Sequence, residues 1–167
     1  MVNAERFSKG VDFLEQHVEL FSHIENTQGV SRYAIAAIIG VETIYGKNMG
    51  RFRVLDVLVT LAFDYTRRAT FYKKELAEFL DFCWRDKLPT VSVTGSYAGA
   101  IGYGQFMPSS LNYFGTDWDN DGFIDIINNE ADAIASVEAY LKAHGRKAGL
   151  KQLYPVMQNI SHETIHT

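Results

Sequence analysis

The sequence predicts a mainly α-helical single domain, and three features of its 167 residues support that fold class. Apolar residues recur at spacings of three and four over most of the chain, as in amphipathic helices. Alternation typical of a strand is confined to a short run at residues 90–93. The composition is 47% hydrophobic with only three prolines, which suits a globular domain that buries a proper core. We therefore expect residues 1–167 to form one domain.

Four helices are predicted in the N-terminal half of the chain. Apolar residues at helical spacing predict one amphipathic helix over residues 5–25, which a polar run ends. A second helix is predicted over residues 31–46, with Ser31 as its N-cap and Gly46 as its stop. The third and fourth follow at about 54–62 and 66–86. The single cysteine, Cys83, lies among aromatic residues of the fourth helix, so we expect it to pack in the core.

A single carboxylate, Glu42, interrupts the most apolar segment of the chain. Every residue from 34 to 41 is apolar or glycine, which is typical of a helix that is buried on all sides. Desolvation in such surroundings favours the protonated form of a carboxyl group. A carboxylic acid that keeps its proton near neutral pH is what a general acid requires. The alternative is that Glu42 faces water where the helix leaves the core.

Residues 95–108 break the helical pattern with glycines interleaved with aromatic residues. So many glycines predict a backbone that turns tightly or that a ligand approaches closely. The spacing alone does not separate a ligand-binding segment from a buried crossover loop with positive φ angles. Pro108 then begins a short helix that ends near Gly115.

The sequence DWDNDGFID at 117–125 matches the first nine positions of an EF-hand-type calcium loop. Oxygen-bearing side chains alternate, and Gly122 occupies the sixth position, where the loop turns sharply. The twelfth position is Asn128 in place of the usual Glu, so the closing carboxylate must come from Glu130 or Asp132. The alternative is a polar turn without metal. A last helix is predicted over about 129–144, and the tail beyond residue 150 is only weakly helical.

The distribution of charge also indicates a cation site. The net charge is −4, yet six acidic and no basic residues lie between residues 117 and 132. The rest of the chain has 16 basic against 14 acidic residues, so the acidity is local and no basic face for duplex nucleic acid is evident. No apolar run approaches the length of a membrane span, and the N-terminus does not resemble a signal peptide. Histidine metal motifs, phosphate-binding loops and serine-nucleophile elbows are not found in the sequence.

Three stretches together resemble the membrane-bound lytic transglycosylase B family, which cleaves peptidoglycan. They are IGVETIYG at 39–46, GSYAGAIGYGQFMPSS at 95–110, and the calcium-type loop that leads into ADAIAS at 131–136. LD at 55–56 and YTRRA at 65–69 also match, although Thr66 stands where the family often has proline. The resemblance covers about residues 10–145 and leaves the tail at 146–167 unmatched. It implies a lysozyme-like helical fold with an EF-hand-type loop at about 117–132.

The resemblance also implies a role for each matching residue. Glu42 would be the single catalytic acid/base. Arg67 and Arg68 match a pair that meets the peptide stem or the lactyl carboxylate of muramic acid, unless they are only a solvated helix start. The residues that match the substrate cleft are Tyr45, Tyr65, Ser96, Tyr103, Gln105, Phe106, Met107 and Tyr140. Those that match the metal loop are Asp117, Asp119, Asp121, the Phe123 carbonyl and Asp132, with Asp125 as a further candidate.

The implied activity is cleavage of the β-1,4 bond between N-acetylmuramic acid (MurNAc) and N-acetylglucosamine (GlcNAc), with formation of a 1,6-anhydro product. Calcium would be structural, and no cofactor would take part in catalysis. The implied partners are peptidoglycan strands and muropeptides, the implied location is the cell envelope or periplasm, and we expect a monomer. Family members usually have a longer C-terminal part with further cleft residues, so how the cleft is completed is open.

Two other functions remain open at this point. A hydrolytic muramidase on the same fold would need a second carboxylate, which Asp56 or Asp64 could supply. A calcium-stabilised, non-catalytic module that binds the cell wall is the alternative from a different class.

Overall fold

The computed structural model describes residues 4–145, which form seven α-helices and one two-stranded antiparallel sheet. The mainly helical class is therefore confirmed, while the predicted weakly helical tail lies outside the described residues. The elements in chain order are α1 (Ala4–Gln16), α2 (Val18–Gln28), α3 (Arg32–Thr43), β1 (Phe52–Arg53), α4 (Val54–Phe63), a 3₁₀ turn (Thr66–Arg68), α5 (Ala69–Arg85), β2 (Thr94–Gly95), α6 (Pro108–Phe114) and α7 (Glu130–Ala143).

The predicted helix at 5–25 is two helices that meet at His17, so the prediction of one continuous helix is wrong. His17 leaves helical geometry, with φ −114° and ψ 28°. Its ring packs edge-on against Phe13 and Phe21, with centroids 4.9 and 6.5 Å away. Its Nε2 atom also lies 2.6 Å from a carboxylate oxygen of Glu130 in α7. These tertiary contacts override the local periodicity, which carries no information about a partner so distant in the chain.

Helix α3 is shorter and more exposed than the sequence predicts. Ile44, in the left-handed conformation, ends the helix two residues before Gly46. One side of α3 is buried, at Ile39 for example, but Tyr33 and Val41 are 62% and 67% exposed. The prediction of a helix buried on all sides is therefore wrong, because no element within residues 4–145 covers the apolar side chains of Tyr33 and Val41.

Helix α5 is the support on which α4 and α6 pack. Glu75, which is only 2% exposed, accepts hydrogen bonds from the backbone N–H and the hydroxyl of Ser109 at 2.9 and 2.7 Å. The carboxylate thereby satisfies one of the free N–H groups in the first turn of α6. Cys83 is 2% exposed, which confirms its predicted packing role.

The short sheet joins the residue pair before α4 to the glycine-rich segment. Phe52 pairs with Gly95 and Arg53 with Thr94, so the pairing starts just after the run at 90–93 that the sequence suggested. Further along, an isolated bridge between Ile101 and Phe106 closes a tight turn.

A hydrophobic core connects all seven helices. No helix within residues 4–145 is long and apolar enough to span a bilayer. The largest fully buried apolar side chains are Phe21, Phe79, Phe82, Ile24, Ile35, Ile39, Leu58, Ile101, Leu111, Ile126 and Ile134.

Candidate functional site

Glu42 lies in the last turn of α3 with its side chain exposed. Within residues 4–145 its carboxylate makes neither a hydrogen bond nor an ion pair. The structure therefore matches the water-facing alternative and not the predicted burial. A carboxylate in this position is accessible to a substrate, but residues 4–145 do not desolvate it.

The backbone directly after α3 is strained. Ile44, Tyr45 and Gly46 have φ angles of 54°, 54° and 80°. Left-handed geometry is unfavourable for residues with a Cβ, and especially for a β-branched one such as isoleucine. The N–H groups of Ile44 and Tyr45 donate to the carbonyls of Gly40 and Ile39 at 3.2 and 3.4 Å. The turn thus closes the helix, and strain of this kind is typical of sites that the surrounding structure holds in place.

The glycine-rich segment holds the end of α3 through Thr43. Thr43 is fully buried, and its hydroxyl lies 3.0 Å from the carbonyl oxygen of Tyr103. The same hydroxyl accepts a hydrogen bond from the N–H of Gly46 at 3.1 Å. A Cβ at Gly46 would come within 2.4 Å of the Tyr103 ring, so a close approach as well as a positive φ requires glycine there. The end of α3 beside Glu42 and the glycine-rich segment therefore form one packed unit.

Several predicted cleft residues also shape the glycine-rich segment itself. Gln105 has a φ of 50°, and its side-chain amide donates to the carbonyls of Met49 and Gly102 at 3.2 and 3.0 Å. The Ser96 hydroxyl accepts hydrogen bonds from two N–H groups of the following turn at 3.3 and 3.0 Å. Phe106 is only 6% exposed. Contact of these three side chains with sugar stays a prediction.

Tyr45 packs between α1 and α3 and does not stand free in a cleft. A Cβ at either Gly10 or Gly40 would come within 2.5 Å of its hydroxyl oxygen. Its ring also lies 5.3 Å from that of Phe13, and burial raises the pKa of the Tyr45 phenol. The structure therefore gives Tyr45 a packing role, and its predicted role as a cleft wall has no support from these contacts.

Tyr140, Met107 and Tyr65 lie in different surroundings. The Tyr140 ring is half-buried against Phe106 and Phe114, with centroids 6.1 and 5.3 Å apart. Met107 is half-buried just before α6. Tyr65 is 42% exposed directly before the 3₁₀ turn, so a ligand can reach its ring.

Arg67 and Arg68 are both exposed but are not equivalent. The Arg68 guanidinium carbon lies 4.3 Å from the ring centroid of Phe71 and 5.6 Å from that of Tyr72, a cation–π arrangement. Arg67 makes no hydrogen bond, ion pair or ring contact within residues 4–145. Arg67 is therefore the member of the pair whose guanidinium is available to a carboxylate.

The loop after α6 gathers three carboxylates. Asp117, Asp119 and Asp121 each bring one oxygen to within 4.8 Å of the other two, and none has a basic partner within the part of the chain that the structure describes. The N–H groups of Gly122 and Phe123 donate to Asp117 and Asp121 at 2.9 and 2.8 Å. Gly122 has a φ of 93°, as the sixth position of a calcium loop requires. Three carboxylates at alternate positions, without a basic partner among residues 4–145, fit a hard divalent cation.

Asp132 braces this loop from inside and lies outside the three-carboxylate group. It is fully buried, and its two oxygens accept hydrogen bonds from the N–H groups of Trp118 and Asp125 at 2.8 and 2.9 Å. Burial raises the pKa of Asp132, the charges of Asp119 and Asp117 add to the increase, and the two N–H groups oppose it. Ligation of a metal by Asp132, Asp125 or the Phe123 carbonyl stays a prediction.

Sequence reasoning missed two roles at the start of α7. Asn129 caps the helix, and its amide also donates to Asp119 at 2.9 Å. Glu130, considered only as a closing metal ligand, accepts a hydrogen bond from the Tyr103 hydroxyl at 2.8 Å and contacts His17. An asparagine just before a periodic apolar run is a recognised signal for a cap. No local signal could have predicted the contacts of Glu130.

Comparison with known proteins gives a consistent result. Residues 1–166 match the model of the transglycosylase SLT domain. The chain is 41% identical over 144 residues to the membrane-bound lytic murein transglycosylase B of Escherichia coli (strain K12), a match that covers 86% of this chain and 40% of that protein.

Solved structures of lytic transglycosylases share the fold. Soluble lytic transglycosylase SltB1 from Pseudomonas aeruginosa has a TM-score of 0.86 and 47% identity, over 89% of this chain and 50% of that one. Escherichia coli Slt35 in complex with calcium has a TM-score of 0.85 and 40% identity, over 89% of this chain and 47% of that one. SltB3 from P. aeruginosa in complex with NAG-anhNAM-pentapeptide has a TM-score of 0.83 and 36% identity, over 88% of this chain and 39% of that one. The chain thus spans half the length or less of these relatives. On this agreement of sequence and fold, the chain belongs to the transglycosylase SLT domain family.

Proposed function

We propose that this chain carries the catalytic centre of a lytic transglycosylase that cleaves the MurNAc–GlcNAc bond of peptidoglycan, with Glu42 as its single acid/base. The observation that carries the proposal is the position of Glu42, an exposed and unpaired carboxylate on a helix end that the glycine-rich segment holds. The relatives are named lytic transglycosylases, which supports this class of reaction.

In the first step, Glu42 donates its proton to the oxygen that bridges the two sugars, and the bond from that oxygen to C1 of MurNAc breaks. The electron pair leaves with the oxygen, and the N-acetyl group of the sugar or the dipoles of the cleft stabilise the positive charge at C1. Because Glu42 is exposed, the bound glycan has to exclude water from its carboxyl group.

In the second step, the Glu42 carboxylate accepts the proton of the C6 hydroxyl of the same MurNAc, and O6 bonds to C1 to close the 1,6-anhydro ring. The C6 hydroxyl is held in the same sugar, so its effective concentration is high. Hydrolysis would instead require a second carboxylate to activate water. Asp56, one of the two candidates for that carboxylate, pairs with Arg53 at 3.3 Å.

Arg67 is the residue that we assign to recognition of a substrate carboxylate, on the peptide stem or on the lactyl group. An unpaired guanidinium binds a carboxylate through two parallel hydrogen bonds. Tyr65, exposed two residues earlier, offers an aromatic face to the sugar. The complex of SltB3 with NAG-anhNAM-pentapeptide supports a substrate that contains both sugar and peptide.

A structural calcium ion is part of this proposal. Asp117, Asp119 and Asp121 would hold it together with the Phe123 carbonyl. Asp132, which closes the loop by accepting two backbone N–H groups, would ligate through a remaining lone pair. Such an ion stabilises the loop and takes no part in the proton transfers. Slt35 has been solved in complex with calcium.

The cell envelope follows as the proposed location, because peptidoglycan is there and the E. coli relative is named membrane-bound.

A hydrolytic muramidase is the second candidate, since the exposure of Glu42 leaves room for water. Digestion of purified peptidoglycan followed by mass spectrometry separates the two. A transglycosylase yields 1,6-anhydromuropeptides, each lighter by one water than its hydrolytic counterpart, without new reducing ends. Reducing-end products would establish a muramidase. Binding of peptidoglycan without release of muropeptides would indicate the non-catalytic module.

A further inference from the structure

We propose that Glu130 is a positioning residue that holds the Tyr103 phenol and, through Tyr103, the end of α3 that carries Glu42. This inference rests on the proposed function. Glu130 would touch neither the sugar nor the reacting atoms, and its effect on the rate would pass through Tyr103.

The first observation is that both carboxylate oxygens of Glu130 are engaged. The Tyr103 hydroxyl donates to Oε1 at 2.8 Å, and the His17 Nε2 atom lies 2.6 Å from Oε2. The side chains of His17 and Glu130 are only 16% and 28% exposed. Hydrogen bonds to a charged group in such a partly buried site are short and strong. Glu130 therefore ties the junction of α1 and α2 to the glycine-rich segment.

The second observation is that Tyr103 is fixed along its whole length. Its N–H donates to the carbonyl of Ile126 at 3.1 Å, its carbonyl faces the Thr43 hydroxyl, and its ring lies against Gly46. Burial and the hydrogen bond to Glu130 raise the pKa of Tyr103 to about 12, so the phenol keeps its proton and remains a donor at neutral pH.

The path from Glu130 to the candidate acid is short. It runs from the Glu130 carboxylate through Tyr103 to Thr43, which is the neighbour of Glu42 in the chain. A misplacement of the catalytic group by about 1 Å can lower a rate roughly 100-fold, so release of the Tyr103 ring is expected to slow the reaction.

The test measures kcat and KM for muropeptide release from peptidoglycan, in a buffer that contains calcium throughout, for Glu130→Leu and Glu130→Gln. Glu130→Leu removes the acceptor, and we expect kcat to fall about 10- to 100-fold while KM stays within about 3-fold. Glu130→Gln keeps an acceptor for the Tyr103 hydroxyl and should retain kcat within about 5-fold of the wild type. Glu19→Gln is the matched control, because this exposed acid on α2 lies two residues from His17 and makes no hydrogen bond or ion pair within residues 4–145, so it should leave kcat unchanged.

The same two substitutions are then made in a Tyr103→Phe background. If Glu130 acts through Tyr103, Glu130→Leu should lower kcat by less than about 3-fold when the phenol is already missing. An equal fall in both backgrounds, or an unchanged kcat of Glu130→Leu in the wild-type background, would overturn the proposal. If Glu130→Leu does not fold, Glu130→Asp replaces it, since its shorter side chain keeps the charge but loses the reach. A kcat for Glu130→Asp equal to or above that of Glu130→Gln would then contradict the proposal.

Thermal unfolding of the single and double variants separates this proposal from the proposed function. The melting temperatures report the contact between Glu130 and Tyr103 without any activity, and their losses should be non-additive in the double variant. Additive losses would overturn the contact itself. A wild-type protein that releases no muropeptide, together with non-additive melting temperatures, would instead reject the proposed function and with it the effect of Glu130 on catalysis.

Discussion

The hydroxyl of Thr43 lies 3.0 Å from the carbonyl oxygen of Tyr103, and this contact joins the helix of Glu42 to the glycine-rich segment. Thr43 has no exposed surface, and its hydroxyl also accepts the N–H of Gly46. Thr43, the neighbour of Glu42 in the chain, thus links the end of α3 to the glycine-rich segment, which the sequence marks by separate motifs. The strained turn after α3 remains in place because this link and the Tyr103 ring hold it.

Thr43→Val tests this link, because valine keeps the shape of threonine and removes the hydroxyl. The hydroxyl has one proton for two acceptors, the carbonyls of Tyr103 and Ile39 at 3.0 and 3.1 Å, and it also accepts the N–H of Gly46. Its removal leaves these buried groups short of a partner, so we expect the free energy of unfolding to fall by about 1–3 kcal/mol. Denaturant unfolding measures the loss, and the rate of peptidoglycan digestion should fall with it. Thr43→Ser keeps the hydroxyl and is the control. A valine variant as stable as the wild type would show that the hydroxyl contributes nothing.

Cys83 should be unreactive in the folded protein. Burial raises the pKa of its thiol to about 11, and the nearby charge of Asp86 adds to the increase. At pH 8 only about one thiol in a thousand is then the thiolate that attacks a disulfide reagent, and the sulfur is also inaccessible. A colorimetric thiol reagent should modify the cysteine within minutes in denaturant and far more slowly without it. Equal rates in both conditions would contradict the observed packing.

The calcium loop gives a prediction about stability. If Asp117, Asp119 and Asp121 share a cation, binding relieves their mutual repulsion, and calcium at 100 times its dissociation constant should add about 2.7 kcal/mol to the free energy of unfolding. Calcium should therefore raise the melting temperature, and magnesium, which demands tighter octahedral geometry, should raise it less.

Matched variants sharpen the calcium experiment. Asp119→Asn should weaken the response to calcium, while Asp81→Asn on the exposed side of α5 should not. An identical melting curve in excess chelator and in millimolar calcium, with protein verified to be free of metal, would refute the cation site.

Local signals predicted the helices and the positions of the motifs, but not the way distant side chains meet. The periodicity and caps located α4 to α7 to within a few residues, and Gly122 in the acidic loop has a positive φ that fits the predicted sharp turn. The break at His17 was missed because its ring contacts Glu130, which lies 113 residues further along the chain. The exposure of one face of α3 was missed because apolar composition shows only that a helix can be buried. It does not show whether another element packs against each of its faces. The packing of Tyr45 against Gly10 was likewise not predicted, because the resemblance gave Tyr45 only a place on the cleft wall, which stays a prediction.

Glu42→Gln is the decisive substitution for the proposed chemistry. The amide has nearly the same shape but cannot donate a proton and take one back, so peptidoglycan digestion should fall by far more than the roughly 100-fold of a mispositioned group. Because Glu42 is exposed and unpaired within residues 4–145, the free energy of unfolding should stay within about 0.5 kcal/mol of the wild type. Glu15→Gln, at another exposed position on α1, should leave both activity and stability unchanged. Mass spectrometry of the digests measures the activity, and sedimentation with insoluble peptidoglycan shows whether the variant still binds. A Glu42→Gln protein that binds and digests like the wild type would remove Glu42 from the catalytic role and direct the search to Asp56 and Asp64.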